Sequence, residues 1–438
     1  MSRRGAPSGG NSSRPGRAPG ITVGFMPAVP TEQTAPNAST VPTVPTAPTW
    51  TVLTAPVPKD LDDPEAWALH GAGRVSYQRE MDTWGYPDLM YPSWYLIADL
   101  QPQPYSIRQL LVAVPAGTEN PTADDVVGLA KIAMPLQDNT GVAHVELYVG
   151  PAHTGQGVGT ALLAAIEEVA AEHGRTSILA YSTHTGEPPA GTPGVLEPPT
   201  GSGRIDPGAT AVRIARRRGY ELEQAERYSL LRLPVAEELL DRLQAEAAAR
   251  AGKEYRLVSW TGRAPDEWVD QVAVLETRMS TDAPSAGLDL AEATWDADRV
   301  RSWERETHES QHEFSIVAAE HVPTGTLAAF TVLRWPVDHE PIVFQEDTLV
   351  LREHRGRRLG MLVKTENIRR LRELRPGALR IHTWNAEENS FMLAINVALG
   401  FRPVGVIGGW QKRTGPAPAE VSDSAQEAEP VPAQGAGA

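Results

Sequence analysis

The sequence predicts a mixed α/β fold that occurs twice in tandem. Three observations support this prediction: matching residues recur at a constant separation, each copy has β-type runs followed by an amphipathic helical pattern, and a glycine-containing turn joins the two in both copies. The chain of 438 residues suffices for two or three domains, and a hydrophobic fraction of 41% allows sizeable cores.

The internal repeat is the strongest of these observations. The segment 64–67 (PEAW) recurs at 265–268 (PDEW), and the glycines at 155 and 159 recur at 356 and 360, all at an offset of 201 residues. Further on the offset falls to 181, because the Gly-Tyr pair at 219 corresponds to the Gly-Phe pair at 400. The first copy therefore has about 20 additional residues, which we place in the Gly- and Pro-rich stretch 186–206.

The sequence pattern predicts the same order of elements in both copies. An opening strand leads to a helix with an N-terminal proline, whose missing N–H costs nothing there, and two β-type runs, an amphipathic helix and another strand follow. In the first copy these are 50–54, a helix from Pro64, 127–134, 142–149, a helix ending at Gly174, and 177–182. In the second they are 255–260, a helix from Pro265, 327–333, 344–351, 359–374 and 378–384, with a further helix at 389–398.

The turn between the second β-type run and the amphipathic helix is the motif most informative about chemistry. It has the sequence VGPAHTGQGVG from 149 and VLREHRGRRLG from 350. Glycines let a backbone approach a ligand closely, and a helix N-terminus presents free N–H groups and a positive dipole end, which suits a pyrophosphate. The alternative is a tight turn without a ligand; its occurrence in both copies favours the ligand.

These two turns resemble the acyl-CoA pyrophosphate loop of the GCN5-related N-acetyltransferases (GNAT), in which Arg or Gln is followed by two residues, Gly, one residue, and Gly or Ala. The segment LGF at 399–401 resembles that family's second signature, and RGY at 218–220 is its counterpart. The resemblance covers residues 49–414 and is to tandem members of the family. It implies the GNAT fold, a mixed α+β sheet splayed at its centre where acetyl-CoA inserts, in two tandem acyl-CoA N-acyltransferase domains.

The resemblance also implies the residues that contact the cofactor. In the second copy they are Leu349, Val350, Arg355, Gly356, Arg357, Arg358, Leu359, Gly360, Asn385 and Asn389. In the first copy they are Val149, Thr154, Gly155, Gln156, Gly157, Val158 and Gly159. Both copies depart from the pattern, because Thr154 stands where Arg or Gln is expected and Arg358 replaces the middle glycine. Helix capping is an equally good interpretation of Asn389.

The implied activity is transfer of an acetyl group from acetyl-CoA to a primary amine of a small molecule. The strand before each loop offers a general base: Glu346 or Asp347 in the second copy, and Glu146, with His144 on the same face, in the first. Many family members protonate the departing thiolate with a tyrosine, where this chain has Asn396 and Ala215. Asn396 can donate a hydrogen bond but is no Brønsted acid. The alternative function is a non-catalytic acyl-CoA-binding sensor or scaffold.

Polar groups near the second loop lead us to predict a C-terminal catalytic domain at 252–414 and a degenerate N-terminal domain at 49–235. The segments 1–48, rich in Pro, Ala and Thr, and 415–438 are predicted to be disordered tails, because they have few large apolar residues. We expect a monomer or a homodimer, since tandem domains can satisfy the pairing that a single domain would seek.

Composition excludes several function classes. A net charge of −15 disfavours nucleic acid as a partner, and no apolar run approaches the roughly 20 residues of a membrane span. The absence of cysteine excludes disulfides and thiolate metal sites and fits the cytoplasm. A zinc-protease-like pattern at 308–312 (HESQH) lies in a polar segment without a third ligand, so we predict no metal.

Overall fold

The computed structural model describes residues 49–415; the predicted tail 1–48, and all of the predicted tail 415–438 except its first residue, lie outside the described residues. The elements of the first copy, with the helix that follows it, are β1 Trp50–Thr54, α1 Trp67–Trp84, α2 Ser93–Asp99, β2 Ser106–Pro115, β3 Gly128–Pro135, β4 Val142–Val149, α3 Val158–Glu172, β5 Ser177–His184, α4 Thr210–Arg217, β6 Glu221–Arg232 and α5 Glu237–Ala251. Those of the second are β7 Tyr255–Thr261, α6 Val269–Asp282, α7 Ala297–Glu309, β8 His312–His321, β9 Thr326–Pro336, β10 Ile342–Val350, α8 Leu359–Leu374, β11 Arg380–Ala386, α9 Ser390–Leu399 and β12 Arg402–Arg413. The predicted mixed α/β fold is confirmed.

The local sequence explains where several elements begin and end. Pro64 opens a short 3₁₀ turn, in which the Asp63 carboxylate accepts the N–H of Glu65 at 2.9 Å, and α1 continues from Trp67. The predicted helix at 359–374 coincides with α8. The histidine pattern at 308–312 falls across the end of α7, and His312 already belongs to β8. The inserted stretch 186–206 lies in the connection from β5 to α4.

The strands of the described chain form one sheet in the order β1-β2-β3-β4-β5-β12-β6-β11-β10-β9-β8-β7. The last strand of each copy therefore pairs with the other copy. Gly408 of β12 lies opposite Ser182 of β5 on one side and Ala225 of β6 on the other, while β6 also pairs with β11. The two copies are joined through an exchange of β6 and β12.

Each copy contains one place where the sheet separates. The parallel strands β4 and β5 pair only from Val142–Ser177 to Val145–Ala180, and residues 146–149 then diverge from 181–184. We call this opening the first split. In the second copy β10 and β11 pair only from Ile342–Arg380 to Phe344–His382, which leaves 345–350 and 383–386 apart. We call this the second split.

The exchanged strands bury large side chains in the opposite copy. Trp410 of β12 is 2% exposed and packs in the core formed by α3 and the strands of the first copy, where its Nε1 donates to Ser182 Oγ at 2.8 Å. Burying an aromatic side chain of this size stabilises by about 2–3 kcal/mol. In the second copy, Leu240 and Leu243 of α5 pack in the same core as Leu371 of α8.

Candidate active site

The loop after the first split ends in glycines that require the left-handed backbone region. Gly155 has φ 80° and Gly157 has φ 90°, and Gly157 is the N-cap of α3. The Ala161 N–H donates to the Gly157 carbonyl oxygen at 3.0 Å, which is the first hydrogen bond of the helix. The N–H groups of the residues before Ala161 have no partner within the helix and point out of its N-terminal end. Such an end attracts an anion.

The equivalent loop of the second copy has the same backbone but different charges. Gly356 has φ 77°, and Arg358 adopts φ 59° at the position of Gly157, a conformation that a non-glycine residue adopts at some cost. Arg358 pairs with Glu246 of α5 at 3.0 Å. The carboxylate of Asp282, whose side chain is only 3% exposed, pairs with Arg352 at 2.7 Å and Arg355 at 2.8 Å. These three guanidinium groups are therefore already engaged by two carboxylates, which offset part of their positive charge.

The last glycine of each loop allows two helices to approach each other. A Cβ on Gly159 would lie 3.3 Å from Cδ1 of Ile214 in α4, and one on Gly360 would lie 3.2 Å from Cδ1 of Ile395 in α9. These contacts are tighter than ordinary van der Waals distance, so a side chain at either position would push the helices apart.

The other predicted cofactor residues lie around the two loops. In the first copy, Val149 is the last residue of β4, Thr154 follows a 3₁₀ turn, and Val158 is the first residue of α3. The carbonyl oxygen of Gln156 accepts the Nε1–H of Trp50 at 2.8 Å. Leu349 and Val350 end β10, Arg357 is exposed and Leu359 opens α8. Asn389 caps α9 by accepting the Met392 N–H at 3.2 Å, and Asn396 Nδ2 donates to Asn385 Oδ1 at 2.6 Å. The structure therefore brings Asn385 and Asn396 together.

A cavity of about 610 Å³, which we call the central cavity, opens at the first split. Its wall includes Glu146–Tyr148 of β4 and Tyr181–Thr183 of β5, the two strand segments that diverge there. The segment 87–95, which leads into α2, covers one side. The second copy contributes Arg334, Phe344, Glu346 and Trp384. Both copies therefore line one cavity.

Glu146 lies within a cluster of polar and aromatic groups at this cavity. The Tyr91 hydroxyl donates to its carboxylate, and Lys131 lies opposite it in the β3–β4 ladder. The Lys131 ammonium is 3.0 Å from Asp99 and 4.1 Å from the centroid of the Tyr91 ring. Burial, and then the negative charge of Glu146, raise the pKa of Tyr91 and of Tyr148 well above the ordinary value. Both phenols therefore remain hydrogen-bond donors at neutral pH.

The two predicted bases of the second copy have different surroundings. Glu346 lines the central cavity and accepts from Arg334 Nε at 2.8 Å. Burial and the charge of Glu346 raise the pKa of Asp347 to about 7. Burial and the charge of Asp347 in turn raise the pKa of Glu276 on α6. Asp347 and Glu276 form a pair of carboxyl groups that disfavours double ionisation.

Several residues of the cavity wall were not predicted from the sequence. Tyr91, Tyr148, Tyr181, Arg334 and Trp384 come from five separate elements or loops, and none belongs to a motif. The available signal was the density of aromatic residues between Trp84 and Tyr95. Neighbouring aromatic rings with adjacent charged groups are typical of small-molecule sites.

A mixed sheet that splits beside a glycine loop and a helix N-terminus occurs twice in the chain, as the resemblance to tandem GNAT proteins implies. Residues 76–190, within the first copy, match the Acetyltransferase (GNAT) family. The first copy therefore contains a segment similar to this family, and residues 49–415 share the fold of a solved tandem GNAT protein.

Three solved structures have the same fold. A tandem GNAT protein from the clavulanic acid biosynthesis pathway is 24% identical with a TM-score of 0.61, over 84% of this chain and 100% of that one. A GCN5-related N-acetyltransferase from Sphaerobacter thermophilus is 15% identical with a TM-score of 0.50, over 84% and 96%. A glucosamine N-acetyltransferase region of a fungal multi-domain GH3 β-N-acetylglucosaminidase is 17% identical with a TM-score of 0.51, over 84% and 38%. No curated protein matches the sequence.

Two further findings concern residues 49–415 alone. No helix in this range combines the length and apolar character needed to cross a membrane. Nor does this range place three or more His, Asp or Glu side chains where they could hold a metal ion.

Proposed function

We propose that this protein transfers the acetyl group of acetyl-CoA to a primary amine of a small molecule bound in the central cavity, and that the first split holds the thioester. The observation that supports this most strongly is the position of the cavity, which opens onto Glu146–Tyr148 where β4 leaves β5. Its volume is within the range of about 300–1,000 Å³ that small-molecule sites occupy.

In this proposal Glu146 is the general base. The amine nitrogen attacks the thioester carbonyl, the C–S bond breaks, and the proton of the amine passes to Glu146 directly or through one water. Tyr91 donates to the same carboxylate and so fixes its orientation. Free backbone N–H groups at the split would polarise the carbonyl, and the N-terminal turn of α3 would hold the pyrophosphate.

The departing thiolate needs a donor, and Tyr181 is our candidate for it. Tyr181 lies on β5, across the first split from Glu146, and lines the central cavity. Tyr181 is 38% exposed; its partial desolvation, followed by the charges of Glu226 and Glu146, raises its pKa, so its phenol keeps its proton at neutral pH and can donate a hydrogen bond. Tyr181 would be the donor to the departing thiolate, the role that the sequence suggested for Asn396. The Asn396 amide instead donates to Asn385 Oδ1.

A second candidate is the same reaction at the second split, with Glu346 or Asp347 as the base. It is supported by Glu346, which lines the same cavity, and by Asp347, whose pKa of about 7 suits a general base at neutral pH. Against it stand the loop arginines, which are already paired with Asp282 and Glu246. The prediction of a catalytic second copy therefore remains open to test.

The deciding experiment incubates the full chain with acetyl-CoA and a panel of small primary amines and measures release of free CoA thiol. Release that depends on an amine supports the transferase. Uptake of acetyl-CoA by calorimetry without thiol release supports the sensor or scaffold instead. Sedimentation of the same sample distinguishes a monomer from a homodimer.

The complete absence of cysteine is compatible with the cytoplasmic location that the sequence predicts.

A further inference from the structure

The central cavity contains a second carboxylate that the proposed reaction does not use. Glu226 of β6 lines the cavity, and within residues 49–415 no side chain donates a hydrogen bond or an ion pair to it. In the sheet Glu226 lies opposite Ile407 of β12, and Ile407 lies opposite Thr183 of β5. Glu226 is therefore on the third strand from β4; three strand spacings amount to roughly 14 Å, and the separation at Glu146 is larger because β4 and β5 diverge there.

The surroundings of Glu226 make its negative charge costly. The nearby Glu388 is also a carboxylate; its Oε1 accepts from Gln224 at 2.7 Å, and its buried Oε2 has no partner within the described chain. Burial, followed by the charge of Glu388, raises the pKa of Glu226 to about 7. Glu226 is half-buried in the cavity wall, where an ionised carboxylate without a cation is disfavoured, so a cationic ligand would stabilise its ionised form.

The basic side chains nearby are already engaged. Lys131 lies 3.0 Å from Asp99, and Arg334 lies 2.8 Å from Glu346. Arg227, the neighbour of Glu226 in the chain, forms two bonds of 2.8 and 2.6 Å with Glu387.

Arg79 is the remaining base of the wall, and its positive charge acts on Glu80, whose pKa burial raises to about 7. Counted without its histidines, the cavity wall has five carboxylates (Asp88, Glu146, Glu226, Asp338 and Glu346) and three basic side chains (Arg79, Lys131 and Arg334), so its net charge is negative.

An aromatic side chain lies between the two carboxylates. Tyr181 lines the cavity from β5, which lies between the strand of Glu146 (β4) and the strand of Glu226 (β6) in the sheet. Trp384 of β11 adds a second ring to the same wall. Aromatic faces attract cationic nitrogens when these are desolvated, so the path between the two carboxylates suits a chain that carries positive charge.

We propose that the acceptor is a diamine, with one primary amine at Glu146 for acetylation and a second, cationic nitrogen bound by the Glu226 carboxylate. This inference rests on the proposed function for the first nitrogen only. Glu226 is a specificity-determining residue here, because it contacts the part of the substrate that does not react. A monoamine would leave the Glu226 carboxylate without its cation.

Calorimetry on the full chain tests this proposal without requiring turnover. The probes are linear diamines from diaminobutane to diaminooctane, each compared with the monoamine of equal chain length. We expect the best diamine to bind about tenfold more tightly than its monoamine, and E226Q to reduce this preference to about twofold. The matched control is E238Q, the same chemical change at an exposed position of α5, which should keep the full preference.

Equal affinity of wild type for diamines and monoamines would overturn the proposal, as would an E226Q variant that keeps the preference. The wild-type comparison stands even if E226Q folds poorly. Thiol release is measured separately with acetyl-CoA. Diamine preference without thiol release would refute the transferase and retain Glu226 as a cation site. Thiol release without diamine preference would support the transferase and refute Glu226 as a cation site.

Discussion

The Asp88 carboxylate, in the segment between α1 and α2, lies 3.0 Å from Nε2 of His382 on β11. It also accepts from Arg380 at 2.6 and 2.8 Å, and His382 Nδ1 lies 2.7 Å from the hydroxyl of Tyr228 on β6. Burial lowers the pKa of His382, so the neutral ring donates through Nε2 and accepts the Tyr228 hydroxyl through Nδ1. This buried network joins a segment of the first copy to a strand of the second beside the central cavity.

Replacing Asp88 with Asn should destabilise the protein by about 3 kcal/mol, because Arg380 loses its buried ionic partner. The measurement is urea unfolding at pH 7. The control, D62N, changes an exposed aspartate and should stay within about 0.5 kcal/mol of wild type. An equal and small effect of both variants would contradict a stabilising role for the network.

The contribution of Asp88 should also depend on pH. Burial by itself would raise the pKa of Asp88, but hydrogen bonds from His382 and Arg380 hold it below the ordinary value. A lowered carboxyl pKa stabilises the folded state above the unfolded value of about 4 and loses this effect as the pH falls through the folded value. The difference in unfolding free energy between wild type and D88N should therefore narrow below about pH 4. A constant difference down to pH 2.5, roughly, would contradict this assignment.

Bulky substitutions in the two glycine loops should show which split holds acetyl-CoA. Valine at Gly157 requires a left-handed backbone that a β-branched residue strongly disfavours, so G157V should weaken acetyl-CoA binding by more than about tenfold. G174V is the control, because Gly174 has φ 67° at the other end of α3 and no neighbour within 4 Å. Calorimetry measures both. Unchanged affinity in G157V with loss in G360V would assign acetyl-CoA to the second split.

The general base can be identified by isosteric variants. We expect E146Q to lower kcat/KM about 100-fold, since a positioned base contributes roughly 10²–10⁴ to the rate. E346Q and D347N should change it by less than about threefold if the first split is catalytic. Thiol release under initial-rate conditions is the measurement. A large loss in D347N together with an active E146Q would support the second copy instead.

Much of the fold could be predicted because it depends on local signals. The glycine loops, α8 and β4 follow from spacing and turn residues, and their bounds agree with the structure to within a few residues. The repeat itself predicted two similar units. The positions of Gly155, Gly157 and Arg358 in the left-handed region also agree with the sequence pattern.

The exchange of β6 and β12 could not be predicted, since pairing between strands 181 residues apart leaves no local pattern. The same holds for charge pairing: the loop arginines suggested phosphate binding, but they pair with Asp282 and Glu246, which lie 70 or more residues earlier in the chain. Tyr91 and Glu146 are likewise 55 residues apart in the chain. Residues that complete a site through tertiary contacts require the three-dimensional structure.

The carboxyl pair Asp347 and Glu276 should lower stability at alkaline pH. Burial raises both pKa values, that of Asp347 to about 7, so the stabilisation is present at acidic pH and is lost as the pH rises through 7. In E276Q one member of the pair no longer ionises. We expect the urea midpoint of wild type to fall between about pH 4.5 and pH 7.5, and that of E276Q to fall less. An identical fall in both would show that the pair is solvated.

The strand exchange makes a further prediction about separate copies. If the chain is divided in the turn at Gly252, the first fragment retains β6 but lacks β12, which lies between β5 and β6 and supplies the buried Trp410. The second fragment lacks β6 beside β11. Each fragment would expose unpaired strand edges and apolar core, so we expect each to be unfolded or aggregated when it is produced alone.

Mixing the two fragments during refolding should restore the native circular dichroism spectrum and cooperative unfolding. The control is the full chain with a protease site inserted at Gly252, cleaved after folding, which should remain associated because the exchanged strands hold the halves together. Cooperative unfolding of either fragment alone would contradict this prediction. Such a fragment would have to form the missing central pairing within itself, and the two copies would then be independent domains.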